Sequence, residues 1–178
     1  AALSKEIEQN CIVATSPSKT FNIAGLQLSA ILIANEELRN AFEKETTKRV
    51  LYMANLFGAT AFQAAYSDPE CEEYLEQLMD YLWDNYLFLD QYLKEHMPKI
   101  KCQKPDATYL LWLDFRELGL SNEELQKFCL EEGNIALDVG AWFGGDASGF
   151  MRLNTGCSRT LLKQGLDQLA AAYRKRGF

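Results

Sequence analysis

The sequence predicts an α/β fold, and three observations carry that expectation. From residue 67 onward the pattern runs helix, strand, helix, strand, strand, helix, the order of a compact layered unit. The helices in that stretch have defined starts and apolar faces at helical spacing, and the strands are short apolar runs between turn formers. Residues 1–60 differ, because two strands and one helix have no means of closing a core alone.

The elements follow in order. "LSKEIEQN" (3–10) is a helix end or a loop, and "CIVAT" (11–15) is a β-rich run expected as a buried strand. "SPSKTFNIAG" (16–25) is a loop full of turn formers. "LQLSAILIA" (26–34) is a second apolar strand, after which Asn35 offers an N-cap for a helix from about 36 to the mid-50s. "NLFGATAFQAAY" (55–66) is rich in small residues and fits either state. Ser67 and Glu70 have capping-box spacing with Pro69 in the first turn, so the next helix starts at Ser67 or Asp68. Leu75, Leu78, Met79, Leu82, Tyr86, Leu89 and Leu93 form one face of it. Tyr74, Tyr81, Phe88 and Tyr92 form a second stripe, which suits either deep burial in one domain or a helix bridging two bodies.

Pro98 ends that helix, and "ATYLLWLDF" (107–115) is a strand apolar on both faces. Ser121 and Glu124 form another capping box for a helix to about 132. "IALDV" (135–139) and "GFMRLN" (149–154) are strands around the glycine-rich "GAWFGGDASG". Ser158 opens the last helix, whose face is Leu162, Leu166, Leu169 and Tyr173, and "RKRG" (174–177) closes it with cations against the dipole.

Composition bounds the function. The 178 residues are 48% apolar, enough for a core, and suit one domain or one domain plus part of another. A net charge of −7 argues against nucleic acid or an anionic membrane as the main partner. No apolar run approaches the ~18 residues that a membrane span needs, and "AALSKEIEQN" has no signal-peptide core. Five cysteines (11, 71, 102, 129, 157) without a C-x-x-C pair, beside the single His96, make no zinc set and point to reduced thiols in the cytoplasm. His96 lies in a polar helix end, which disfavours a cysteine nucleophile paired with it.

Two features bear on chemistry. In "ATSPSKTFNIAG" (14–25), Lys19 follows an apolar strand and stands among Ser16, Ser18 and Asn22. Lysine chemistry needs an unprotonated amine within reach of an electrophile, and hydroxyls and backbone N–H groups in such a loop can cradle a phosphate. The pattern suits a lysine that holds a phosphorylated aldehyde, but by itself it is weak, since any surface loop can read the same way. In "FMRLNTG", Arg152 sits between Met151 and Leu153 and needs an anion, either a ligand carboxylate gripped in bidentate fashion or Asp138 or Asp146 nearby.

"SPSKTFNIAGLQLS", "TYLLWLDFRELGLS" and "FMRLNTGCSR", in that order, resemble the fold-type-I pyridoxal-phosphate enzymes, and within them the cystathionine β-lyase/aminotransferase-like MalY/PatB group of C–S lyases. The similarity covers essentially the whole chain. It implies that Lys19 is the Schiff-base lysine and moves the proton at the substrate Cα. Ser16 is implied as a cofactor-phosphate ligand, with Ser18 beside it, and Arg152 as the group that binds the substrate α-carboxylate. The wider aminotransferase family often carries a phosphate-binding arginine eight positions after the lysine. Here that position is Gln27, a departure expected of the C–S lyase group. Ala107 also stands where a glycine is usual before the threonine.

The resemblance further implies a cytoplasmic homodimer with pyridoxal 5′-phosphate that converts a cysteine-type amino acid to thiol, pyruvate and ammonia. Transamination is the alternative within the family. In the family the lysine lies past the middle of a chain about twice this long. The expectation is therefore a C-terminal portion: residues 1–65 as a remnant of the large cofactor domain and 66–178 as the small α/β domain. Alone, such a portion is expected to be inactive, with Lys19 exposed and no cofactor bound, or to act only as a folding and association module.

Overall fold

The computed structural model describes residues 3–178. The chain divides into two compact units, Ala1–Gln77 and Leu78–Phe178.

In the first unit, Ser4 caps a short helix, α1 (Lys5–Gln9). Two three-residue strands, β1 (Val13–Thr15) and β2 (Ala30–Leu32), pair antiparallel with Val13 opposite Leu32. They are shorter than the apolar runs around them, and the expected burial of "CIVAT" is not found. Val13, Ile31 and Leu32 are exposed, because a two-stranded ribbon has no second layer to cover its sides.

The expected single helix from 36 to the mid-50s is two helices. Asn35 caps α2 (Glu36–Lys48), as its position suggested. The helix then stops, for a local reason. Leu51 N–H donates to the Thr46 carbonyl and Val50 N–H to the Thr47 carbonyl, while Val50 takes a left-handed φ of 59°. This closes the last carbonyls as a Schellman-type end does, with valine in the place glycine usually takes. Asn55 then caps α3 (Leu56–Ser67), so the ambiguous small-residue segment is helical.

The Ser67 capping box does not form. Ser67 belongs to the last turn of α3, and its hydroxyl donates to the Gln63 carbonyl at 2.7 Å. Asp68 takes over instead, accepting from Glu70 N–H at 3.0 Å, with Pro69 as the first residue of α4 (Pro69–His96). A carboxylate at this place suits the positive end of the helix dipole.

The second unit is a four-stranded antiparallel sheet in the order β3-β4-β6-β5, built from β3 (Lys101–Cys102), β4 (Leu110–Asp114), β5 (Asp138–Val139) and β6 (Phe150–Asn154). "IALDV" contributes only its last two residues to β5. Side chains alternate across a strand. Leu111, Leu113, Val139, Met151 and Leu153 enter the core, where they join Leu89 and Leu93 of α4, Leu125 of α5 (Asn122–Lys127) and Leu166 and Leu169 of α6 (Arg159–Arg176). Full burial of each such leucine contributes about 1.5–3 kcal/mol. The Ser121/Glu124 capping box and the Ser158 cap form as expected, and Gly177 ends α6 with φ 74°. Arg176 in that last turn pairs with Glu132, whose carboxyl is thereby held below its ordinary value.

One polar residue is buried within the apolar face of α4. Asn85, fully buried, donates to the carbonyls of Thr155 and Cys157 at 3.0 and 3.1 Å and accepts from Arg159 Nε at 2.7 Å. Thr155 in turn donates its N–H and its hydroxyl to the Tyr109 carbonyl. The turn that follows β6 is therefore held from two sides. Asn85→Ala removes three hydrogen bonds and strands two carbonyls. It should lower unfolding stability by about 2–4 kcal/mol, read as a drop in urea midpoint with an unchanged slope; an unaltered midpoint would rule the network out as a stabilising element.

Candidate active site

The lysine loop is built by short-range bonds. Phe21 N–H donates to the Pro17 carbonyl and Ile23 N–H to the Ser18 carbonyl, which curls residues 17–23 into a tight turn. Ser16 fastens it: its hydroxyl donates to the Leu28 carbonyl at 2.7 Å and accepts from Ser18 N–H at 3.2 Å. Asn55 Nδ2 donates to the Leu26 carbonyl at 3.2 Å, so the cap of α3 also holds the far side of the loop. Gly58, in the first turn of α3, lies against the same strip: a Cβ there would stand 3.0 Å from the Leu26 carbonyl oxygen. The Phe21 ring stacks on Tyr74 at 6.4 Å and meets Tyr66 edge-on at 6.0 Å.

This turn brings Ser16, Ser18 and Lys19 together. Pro17 is buried, Ser16 and Ser18 are half-buried, and Lys19 is exposed. Among the described residues, neither the Ser18 hydroxyl nor the Lys19 amine has a hydrogen-bond partner, whereas the Ser16 proton is committed to Leu28. Gln27 has a left-handed φ of 49° and ends a 3-10 turn, Ala24–Leu26. Asn55 and Gly58 hold the loop and were not singled out from sequence; the signal was an asparagine three residues before a glycine at a helix start.

Arg152 lies in the second unit, on the outward face of β6. It is directly opposite Trp112 on one side and Asp138 on the other. Its Nε and Nη2 both donate to Asp138 Oδ2, at 3.0 and 2.7 Å. Its guanidinium also lies 4.4 Å from the Phe143 ring centroid. Trp112 meets Phe143 edge-on and stacks on Phe150, both at 5.7 Å, so the arginine stands beside an aromatic platform. Gly140 brings Phe143 there: a Cβ at Gly140 would come within 2.6 Å of the Ala147 and Phe150 carbonyl oxygens, so only glycine permits this close packing of the loop. At the platform's other end, Arg116 grips Asp114 with two bonds and holds that carboxyl below its ordinary value.

The thiols are placed for packing. Burial pushes Cys102 and Cys129 up to about 12 and raises Cys157 as well, so these stay protonated at neutral pH. Among the described residues no group of three or more His, Cys, Asp or Glu is arranged to hold a metal ion. No described helix is long and apolar enough to cross a membrane.

The structure thus shows an exposed primary amine on a hydroxyl-rich turn in one unit and an outward, paired arginine on a small antiparallel sheet in the other. The chain belongs to the aminotransferase class I and II family, whose model matches residues 1–169. It is 42% identical over 172 residues to cystathionine beta-lyase PatB of Bacillus subtilis, covering 97% of this chain and 44% of that protein. It is 36% identical over 172 residues to the cystathionine beta-lyase of Corynebacterium glutamicum, covering 96% of this chain and 45% of the other. Among solved structures, a PLP-bound protein from Clostridium difficile 630 matches with a TM-score of 0.90 at 40% identity, over 96% of this chain and 43% of that one. The chain thus spans less than half the length of the relatives it matches.

Ser16 holds the turn by its own two bonds. Ser16→Ala should loosen it locally by about 1–2 kcal/mol, seen as faster hydrogen exchange at the Ser18 amide with the cofactor removed. Unchanged exchange there would show that Pro17 and Phe21 suffice.

Proposed function

We propose that the whole protein is a pyridoxal-phosphate-dependent C–S β-lyase acting on cysteine-type amino acids, and that residues 1–65 belong to its large cofactor domain and 66–178 to its small domain. The observation that carries this is the loop around Lys19, in a chain 42% identical to a cystathionine beta-lyase over 97% of its length. Gln27 adds to it, standing where the wider aminotransferase family often has an arginine.

The residues fit the cofactor's chemistry. Lys19 offers an unengaged amine for an aldehyde carbon. Ser18 has a free hydroxyl for a phosphate, whereas the Ser16 hydroxyl would have to give up its bond to the Leu28 carbonyl to donate to one. When bound, the cofactor supplies an electron sink for the Cα–H bond. Arg152 grips the substrate α-carboxylate, which sets which substituent at Cα is presented for reaction. Lys19, with its amine free, would take the Cα proton as general base. With one water consumed, the overall reaction would give a thiol, pyruvate and ammonia.

As in the relatives' family, the working form is taken to be a cytoplasmic homodimer. Leu51, Tyr52, Met53, Leu56 and Phe57 are all more than 60% exposed, a strip that suits burial against the rest of the large domain or a partner subunit. The family match itself favours the second reading, an aminotransferase.

Borohydride reduction of the full-length holoenzyme followed by peptide mapping should place the pyridoxyl group on Lys19; a label on another lysine refutes the assignment. With cystathionine as substrate, pyruvate and thiol should form without any added keto acid. Turnover that requires a keto-acid acceptor would identify the aminotransferase instead.

A further inference from the structure

The Arg152–Asp138 pair has a geometry that leaves work for both residues. A guanidinium carries five N–H donors in a fixed fork. Here Nε and one hydrogen of Nη2 are spent on a single oxygen of Asp138. The end-on edge, Nη1 with the second hydrogen of Nη2, remains the one that matches a carboxylate with two parallel bonds. The side chains of Arg152 and Asp138 are 30% and 46% exposed, so this edge is within reach of a ligand. Rotation of the guanidinium is opposed twice. The Asp138 carboxylate blocks it in the plane, and the Phe143 ring lies against its face. A free arginine side chain has large rotamer entropy, so an arginine held in this way loses less on binding.

We propose that Asp138 and Phe143 are positioning residues for Arg152, fixing its end-on fork for the α-carboxylate of the amino-acid substrate. The proposal rests on the assignment of Arg152 to that carboxylate. Asp138 acts from directly across the strand pair, where the register holds its Cα opposite that of Arg152. Phe143 acts from the loop that Gly140 allows to pack closely. Asp138 also cancels the arginine's charge, so recognition depends on the direction of the fork more than on bulk attraction. A spherical anion such as chloride is then a poor competitor for a carboxylate.

The test uses full-length holoenzyme and compares Asp138→Ala, Asp138→Asn, Phe143→Leu and Arg152→Ala in steady-state kinetics. The cofactor's visible absorption and the melting temperature serve as folding controls. Asp138→Ala should raise KM for the amino acid about tenfold, a loss of about 1.4 kcal/mol, with a much smaller change in kcat. Asp138→Asn keeps an acceptor oxygen in place without the charge, so it should recover most of that KM. Phe143→Leu should raise KM in the same sense as Asp138→Ala. A KM unchanged in Asp138→Ala, or an Asp138→Asn variant as impaired as Asp138→Ala, overturns the positioning role while leaving Arg152's role standing if Arg152→Ala still raises KM. If Arg152→Ala itself leaves KM unchanged, both assignments fall.

Discussion

The alternation of side chains along β6 is the constraint on which the second unit depends. Met151 and Leu153 are almost fully buried, and their burial leaves no freedom in the direction of their neighbours. Phe150, Arg152 and Asn154 must face the other way. A slip of one residue would drive a guanidinium into a core of leucines and put two apolar side chains on the outer face. The register to β4 and β5 follows from the same burial, because Leu111, Leu113 and Val139 have to meet the same core. Once that register is set, Trp112, Arg152 and Asp138 stand in a row across three strands. The chemistry of the outer face is thus a by-product of packing on the inner one.

Much of this was legible because the signals were periodic or local. Leu162, Leu166, Leu169 and Tyr173 share a helical face and are all buried, and the caps at Asn35, Ser121 and Ser158 each depend on one side chain and one nearby amide. The failures have a common origin in competition between neighbours. Ser67 and Asp68 both suit a cap, and α3, which the small-residue segment did not announce, took Ser67 into its last turn. Val50 carries no warning of a helix end, since valine rarely takes positive φ. Asn85 went unnoticed in the sequence, because its partners are carbonyls 70 and 72 residues away, which no local pattern contains. At the candidate site, the loop around Lys19 and the outward Arg152 were visible. The aromatic ring against the arginine was not, because Phe143 reaches it through an irregular glycine-rich loop.

The two candidate sites are held by different physics. The lysine turn depends on short-range backbone bonds, with Ser16 and Asn55 as side-chain ties. Such a turn is rigid where it is tied and leaves its exposed side chain free to swing. That freedom is what the role proposed for Lys19 calls for. The arginine is fixed at both its edge and its face, within a sheet whose core is closed. That fixity is what the role proposed for Arg152, holding one end of a substrate still, calls for.

Charge completes the contrast. The chain carries a net charge of −7, which by itself repels an anionic ligand. At physiological salt the Debye length is about 8 Å, so carboxylates farther away than that count for little beside a direct donor. Of the two cations, Arg152 is already paired with Asp138 at 2.7 Å and adds little net field. What it offers is direction: two parallel donors at a set spacing, a match for a carboxylate and a poor one for a spherical anion. Lys19 is the reverse case. Its amine has no described partner, so no hydrogen bond ties it to one direction. An arginine paired across the strands and a lysine without a described partner thus offer a fixed direction in one place and a free one in the other.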